Sequence, residues 1–212
     1  MRPRRAGVAL ATPLLLLAAA CGSQRAGVFH PTGAMAVASP PPSARTAGVP
    51  VPFPGKVTFS FGPLPAGPGQ AALVTRDRDF ILAYYDAIYT RGRDTSYLSY
   101  IGNNGVLASV RAAVAEHVDA GQGFAGVVRH FGTTVAPDQY APGDENVTYC
   151  VDEAGLKYTD IRTGRLLGNS STPGELYYSE SDTFAKGRHG TWKLVGTLVT
   201  PYPKGQAREC KP

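Results

Sequence analysis

The sequence predicts an α+β domain in which two N-terminal helices pack on a curved antiparallel sheet, behind a signal peptide and a disordered linker. Three observations carry this. Apolar residues recur with helical period in two stretches between residues 79 and 121. From residue 124 onward the pattern changes to β-branched and aromatic residues punctuated by turns. Helices first and a run of strands after them mark α+β, because a βαβ fold would alternate the two. The expected divisions are 1–20 (signal peptide), 21–55 (Pro/Ala/Gly-rich flexible linker) and 56–212 (folded domain).

The leader comes first. "MRPRR" carries three arginines, and Ala6 to Ala20 are uncharged and end in small residues before Cys21. This is the plan of a secretory signal. Fifteen uncharged residues broken by Pro13 fall short of the roughly 20 that a bilayer-spanning helix needs. "LAAACGS" resembles a bacterial lipoprotein lipobox, with Ala18 in place of the commoner leucine. The resemblance implies cleavage after Ala20, diacylglycerol and palmitate-type acylation of Cys21, and anchoring to the outer face of the cytoplasmic membrane. Two acyl chains make such an anchor stable where one is marginal.

The linker follows. Ten of the chain's 18 prolines lie between Gly22 and Gly69, as in "SPPPS" and "PLPAGPG", a composition that suits a spacer. Export also makes the remaining thiols legible. Cys150 and Cys210 are left as a pair in an oxidising compartment, and neither has a cysteine or histidine at zinc-ligand spacing, so a disulfide is expected.

Within the domain, "KVTFSF" alternates Val57, Phe59 and Phe61 on one face, a strand signal. "DFILAYYDAIY" places Ile81, Tyr84, Tyr85 and Ile88 on one helical stripe, with Gly92 as a stop. "GVLASVRAAVAEHVDAG" does the same with Leu107, Val110, Val114 and Val118, ended by Gly121. "FAGVVRHFGTTV" reads as a strand in which His130 shares a face with Val128, Gly132 and Thr134. "NVTYCVD" and "LKYTDI" read as a hairpin about "EAG". "IRTGRLL" supplies a second turn at Thr163-Gly164, and two long strands join through "GRHG".

Charge excludes one class of function. The net charge of +5 resides in the leader and linker: residues 1–75 hold six basic residues and no acid, leaving 15 basic against 16 acidic residues from 76 to 212. A near-neutral body offers phosphate backbones no electrostatic footprint, so no nucleic-acid partner is expected. "GQGFAG" (121–126) matches G-x-G-x-x-G, but a helix precedes it and a strand follows. Dinucleotide binding needs the reverse order. No HExxH, clustered metal-ligand spacing or G-x-S-x-G occurs, so no metal, cofactor or catalytic set is assigned.

The remaining candidates are pocket residues. Tyr84, Tyr85 and Tyr89 with Trp192 either line a hydrophobic pocket or form ordinary core. Tyr178, Glu180 and Asp182 share one face of a strand, where alternating carboxylates are expected to be solvated. His117 reads as a boundary residue and His189 as a solvated turn residue. The possible pocket therefore comprises Tyr84, Tyr85, His130, Asp152, Tyr178 and Trp192.

Two helices, then long antiparallel strands ending in "GTWKLVG", are similar to the nuclear transport factor 2 superfamily, also called cystatin-like. "VTYCVDEAGLKYTDIRTGRLL" with a terminal cysteine and a lipobox resembles small actinobacterial lipoproteins built on that fold. The resemblance spans roughly 57–210 and implies the cone. That superfamily includes ketosteroid isomerases and polyketide cyclases as well as members without chemistry, and a fold alone does not assign activity. The expected function is a membrane-anchored, extracytoplasmic, non-catalytic module binding a small apolar ligand or an envelope protein. The alternative is an isomerase- or cyclase-like enzyme using His130 or Asp152 in a hydrophobic cone.

Overall fold

In a computed structural model of the chain, residues 49–52, 57–169, 176–187 and 189–210 are described. The expected signal peptide, Cys21 and most of the expected linker lie outside the described residues. Two helices, α1 (Pro68–Tyr89) and α2 (Asn104–Asp119), pack on one face of a curved eight-stranded sheet. The strands are β1 (Val49–Pro52), β2 (Val57–Phe61), β3 (Gln122–Pro137), β4 (Glu145–Asp152), β5 (Lys157–Asp160), β6 (Leu166–Asn169), β7 (Tyr177–Lys186) and β8 (Trp192–Pro201). Their main order is β1-β2-β3-β4-β7-β8. Pairing is antiparallel except between β2 and β3, which run parallel because both helices intervene between them. Val49–Pro52, inside the stretch expected to be linker, form the edge strand β1.

Helix α1 starts earlier than the stripe from Asp79 suggests, with Pro68 in its first turn, where the missing N–H costs nothing. It is buried on more than one side: Leu73, Val74, Phe80, Ile81, Tyr85, Ala87 and Ile88 all enter the core. It ends near the expected Gly92, whose N–H donates to the Ala87 carbonyl at 2.7 Å with φ +74°. In α2 the side chain of Asn103 caps the start by accepting from the Val106 N–H at 2.8 Å. Val106, Val110 and Val114 face inward.

The sheet's concave face is set by parity. Val57, Phe59 and Phe61 of β2, Val128 and His130 of β3, and Val147, Tyr149 and Val151 of β4 are buried beneath the helices. Val128, Arg129 and His130 of β3 keep this alternation, but the register with β4 shifts between Phe131 and Thr134. Thr134 then pairs with Thr148 on the other face, so the expected face shared by His130 and Thr134 is broken by this irregularity.

A second correction concerns "NVTYCVD" and "LKYTDI". They do not form a hairpin. Both lie along β3, β4 against Arg129–Pro137 and β5 against Gln122–Ala125, as two pieces of one interrupted strand. Gly126 marks the junction. Its φ is +109°, and a Cβ there would stand 2.0 Å from the Gly155 carbonyl oxygen, so only glycine fits the close approach. The Thr163-Gly164 turn joins β5 to β6 and the long strands β7 and β8 pair, both as expected.

The convex side carries the covalent brace. Cys150 and Cys210 form a disulfide with Sγ–Sγ 2.04 Å across 60 residues of sequence. It ties the closing 3-10 turn Gly205–Glu209 to the sheet, burying Ala207 and Cys210. Closing a loop of this length stabilises a fold by roughly 4 kcal/mol in the chain-entropy account. Replacing both cysteines by serine is expected to lower the unfolding free energy by about 2–4 kcal/mol in urea titrations. A change below about 0.5 kcal/mol would mean that packing alone holds the C-terminal segment.

Candidate functional site

The unusual chemistry of this protein lies between α1 and the sheet. Asp77 sits on the inner stripe of α1, one turn from Val74 and Ile81, and is 1 % exposed. Asp182 projects inward from β7 and is 0 % exposed. Tyr178, Glu180 and Phe184 share its parity. The carboxylates expected to form a solvated face thus point into the interior, a correction that follows from which face of β7 the helices cover.

These groups are wired together. The Tyr149 hydroxyl donates to Asp182 Oδ2 at 3.2 Å, and the Tyr178 hydroxyl donates to Glu153 Oε1 at 2.9 Å. Asp77 Oδ1 and Asp182 Oδ1 are buried without a hydrogen-bond partner, in two carboxyls close enough to act on each other. Burial, then the charge of Asp182, hold the Asp77 carboxyl well above the usual carboxylate range. Asp182 is raised by burial as well, while its neighbours Asp77, Thr197 and Tyr149 pull it back down. Burial thus favours a proton on this pair. Glu180 is raised by burial and by Asp182. It keeps partial solvent contact, so the deeper Asp77–Asp182 pair carries the argument. Like charges in a dry site cannot both ionise cheaply.

His130 stands at the same seam, its ring 4.9 Å from that of Phe61 and 5.2 Å from that of Tyr149. Burial, reinforced by the Arg78 guanidinium, lowers its pKa to about 3, so the imidazole is neutral and a poor general base. Arg78 itself donates to the Gly62 carbonyl at 2.7 Å and lies 5.1 Å from the centre of the Phe61 ring. Asp77, Arg78, His130 and Tyr149 surround a cavity of about 10 Å³, at the lower limit for a single water.

The sequence-predicted pocket residues divide. Tyr85 packs edge-on against Phe59 (centroids 4.7 Å) and Tyr84 (5.4 Å), and Phe59 also reaches the His130 ring at 6.2 Å. Tyr84, Tyr85, Tyr178 and His130 are thus brought to one interior. Asp152 is not. It pairs in register with Arg129, while His130 pairs with Val151, so His130 and Asp152 project to opposite faces. On the convex face the Arg129 guanidinium meets Asp152 at 3.1 Å. Trp192 is also elsewhere. It pairs with Lys186, whose ammonium lies 4.8 Å from the indole centre, eight residues along β7 from Tyr178, or roughly 26 Å at about 3.3 Å per residue. Tyr89 serves the backbone: its hydroxyl donates to the Phe124 carbonyl at 2.5 Å and accepts from the Phe124 N–H at 3.1 Å.

Asp77, Arg78 and Tyr149 went unnoticed in the sequence. The signal for Asp77 was available, since an acid at i+3 from Val74 and i−4 from Ile81 interrupts an apolar stripe.

No family profile matches the chain, and no curated protein matches it. Among solved structures, it is similar to the intermembrane space region of chloroplast protein ARC6, with 10 % identity, 60 % of this chain and 95 % of that chain covered, and a TM-score of 0.39. A likeness that slight carries no argument about fold or function.

The carboxyl seam makes stability pH-dependent with a definite sign. Acids whose pKa is higher in the folded state stabilise it fully below their unfolded pKa of about 4, and that contribution fades as pH rises through the folded value. His130 acts oppositely, between about pH 6.5 and the folded value of about 3. The wild-type chain is therefore expected to be more stable in urea at about pH 6 than at about pH 9. Asp77→Asn should shrink that difference by about 1 kcal/mol or more. An equal difference in both proteins would place the raised acid elsewhere.

Proposed function

We propose that this protein is a membrane-anchored extracytoplasmic lipoprotein whose domain is a non-catalytic interaction module, meeting an envelope protein through its surface. The observation that carries the reading is the filled interior. The cavity that Asp77, Arg78, His130 and Tyr149 line beneath α1 is about 10 Å³, whereas sites that enclose small molecules measure roughly 300–1,000 Å³. Aromatic rings and the buried carboxyls take up volume that an enclosed apolar ligand would need.

The isomerase- or cyclase-like alternative needs a catalytic group facing a substrate. His130 is neutral and walled in by Phe61 and Tyr149, and Asp152 faces the opposite side of the sheet. The arrangement of two helices on a curved sheet suits the nuclear transport factor 2-like cone, which we retain as the proposed affiliation. The disulfide suits an oxidising compartment, and the lipobox-like "LAAACGS" supplies the anchor at Cys21.

Cell fractionation followed by native mass measurement tests the proposal. The wild-type chain is expected in the membrane fraction, with the mass of the cleaved, acylated polypeptide and no apolar molecule enclosed in its interior. Cys21→Ala is expected in the medium. Retention of Cys21→Ala in the membrane would overturn the anchor, and a co-purifying apolar molecule released on unfolding would overturn the filled-interior reading.

A further inference from the structure

A cleft of about 410 Å³ lies on the surface between the end of α1 and the β5–β6 turn, away from the carboxyl seam. Its volume falls within the range of small-molecule sites. Asp86, Thr90 and Arg93 form one wall, and Asp160, Arg162 and Thr163 the other.

Both walls are held by their own hydrogen bonds. In the turn, Asp160 Oδ1 accepts from the Arg162 N–H at 3.0 Å, the Thr163 N–H at 2.8 Å and the Thr163 hydroxyl at 3.0 Å. At the end of α1, the Thr90 hydroxyl donates to the Asp86 carbonyl at 2.8 Å and accepts from the Asp94 N–H at 2.9 Å. Arg91 between them has φ +56°, a conformation that costs free energy for a residue with a Cβ and persists where surroundings dictate it.

The charges decide what such a cleft takes. Two carboxyls and two guanidinia line it, which would cancel if they paired across it. They do not. Asp160 Oδ1 accepts from its own turn, with Arg162 near enough to favour its charge, and Asp86 lies beside Asp94, which acts on its carboxyl. Among the described residues, neither Arg93 nor Arg162 has a carboxylate oxygen within 4.0 Å. The Arg93 Nε donates to the Thr90 carbonyl at 3.0 Å, which orients its fork. Two guanidinium forks offer more donors than one carboxylate can accept, whereas a phosphate has oxygens for both.

We propose that this cleft is a binding site for an organic phosphate, held by Arg93 and Arg162 from opposite walls. The site is independent of the interior seam and of the envelope-protein contact proposed above. The phosphate belongs either to a soluble metabolite or to a lipid headgroup, and both present the same chemistry to the two arginines.

Isothermal titration of the full chain in nonionic detergent with glycerol phosphate tests the assignment. Saturable binding is expected, weakened at least about tenfold by Arg93→Gln and by Arg162→Gln, as loss of a charge-assisted bidentate contact implies. Both substitutions are at exposed positions, and unchanged thermal melting verifies that the fold persists. Arg165→Gln removes the same charge beside the cleft without lining it, and should leave the affinity unaltered. Sedimentation with phosphatidylglycerol vesicles against phosphatidylcholine vesicles identifies the source. Vesicle binding lost in the Arg93→Gln, Arg162→Gln double variant assigns a headgroup, and soluble binding alone assigns a free phosphate; either supports the site. The proposal is overturned if wild type and double variant behave alike with both probes, or if Arg165→Gln weakens binding as much as the other two.

Discussion

The structure depends on the way α1 lies in the concave face of the sheet. Its stripe of Leu73, Val74, Ile81, Tyr85 and Ile88 meets Phe59, Val128, Val147, Tyr149 and Phe184 from four strands, and burial of so many large apolar groups is the main stabilising contribution. Within that apolar contact sits a buried carboxyl pair, Asp77 with Asp182. An ionised pair there would cost several kcal/mol of desolvation and repulsion, so the seam is stable because it holds a proton. A sheet-facing helix with Asn or Leu at position 77 would pack without that requirement. The seam thus fixes one orientation of α1 and also sets the pH range over which that orientation is comfortable.

The convex side is organised differently. There the Cys150–Cys210 bond holds the C-terminal 3-10 turn over β7 and β8, where Ser179 is buried beneath it. The Arg129–Asp152 ion pair lies on this face, with Arg129 half exposed, and contributes little because solvent screens it. One face is held by hydrophobic packing around a buried acid pair, the other by a covalent link.

Much of this fold could be read from the sequence, and the errors have physical causes. Both helices, β2, β3, the Thr163-Gly164 turn and the β7–β8 hairpin follow from periodicity and turn residues. The β4–β5 hairpin was misread because "EAG" is a competent turn; what overrides it is Gly126, which lets β3 bend and take β5 as a second partner beyond β4. Parity placed Tyr178, Glu180 and Asp182 correctly on one face with Phe184, yet not which face the helices would cover, since strand alternation is blind to inside and outside when acids and aromatics share a side. The parallel pairing of β2 with β3 depends on tertiary contacts that no local pattern encodes. His130 lies on the concave face, but Asp152 sits one residue out of register with it, and a single residue reverses the face.

The central claim is that one carboxyl of the α1 seam stays protonated at neutral pH. Infrared spectroscopy of the carboxyl stretch tests it most directly. The account predicts a protonated-acid band in the wild-type protein at about pH 7 that disappears in Asp77→Asn. A spectrum with ionised carboxylates only, unchanged by that substitution, would contradict it.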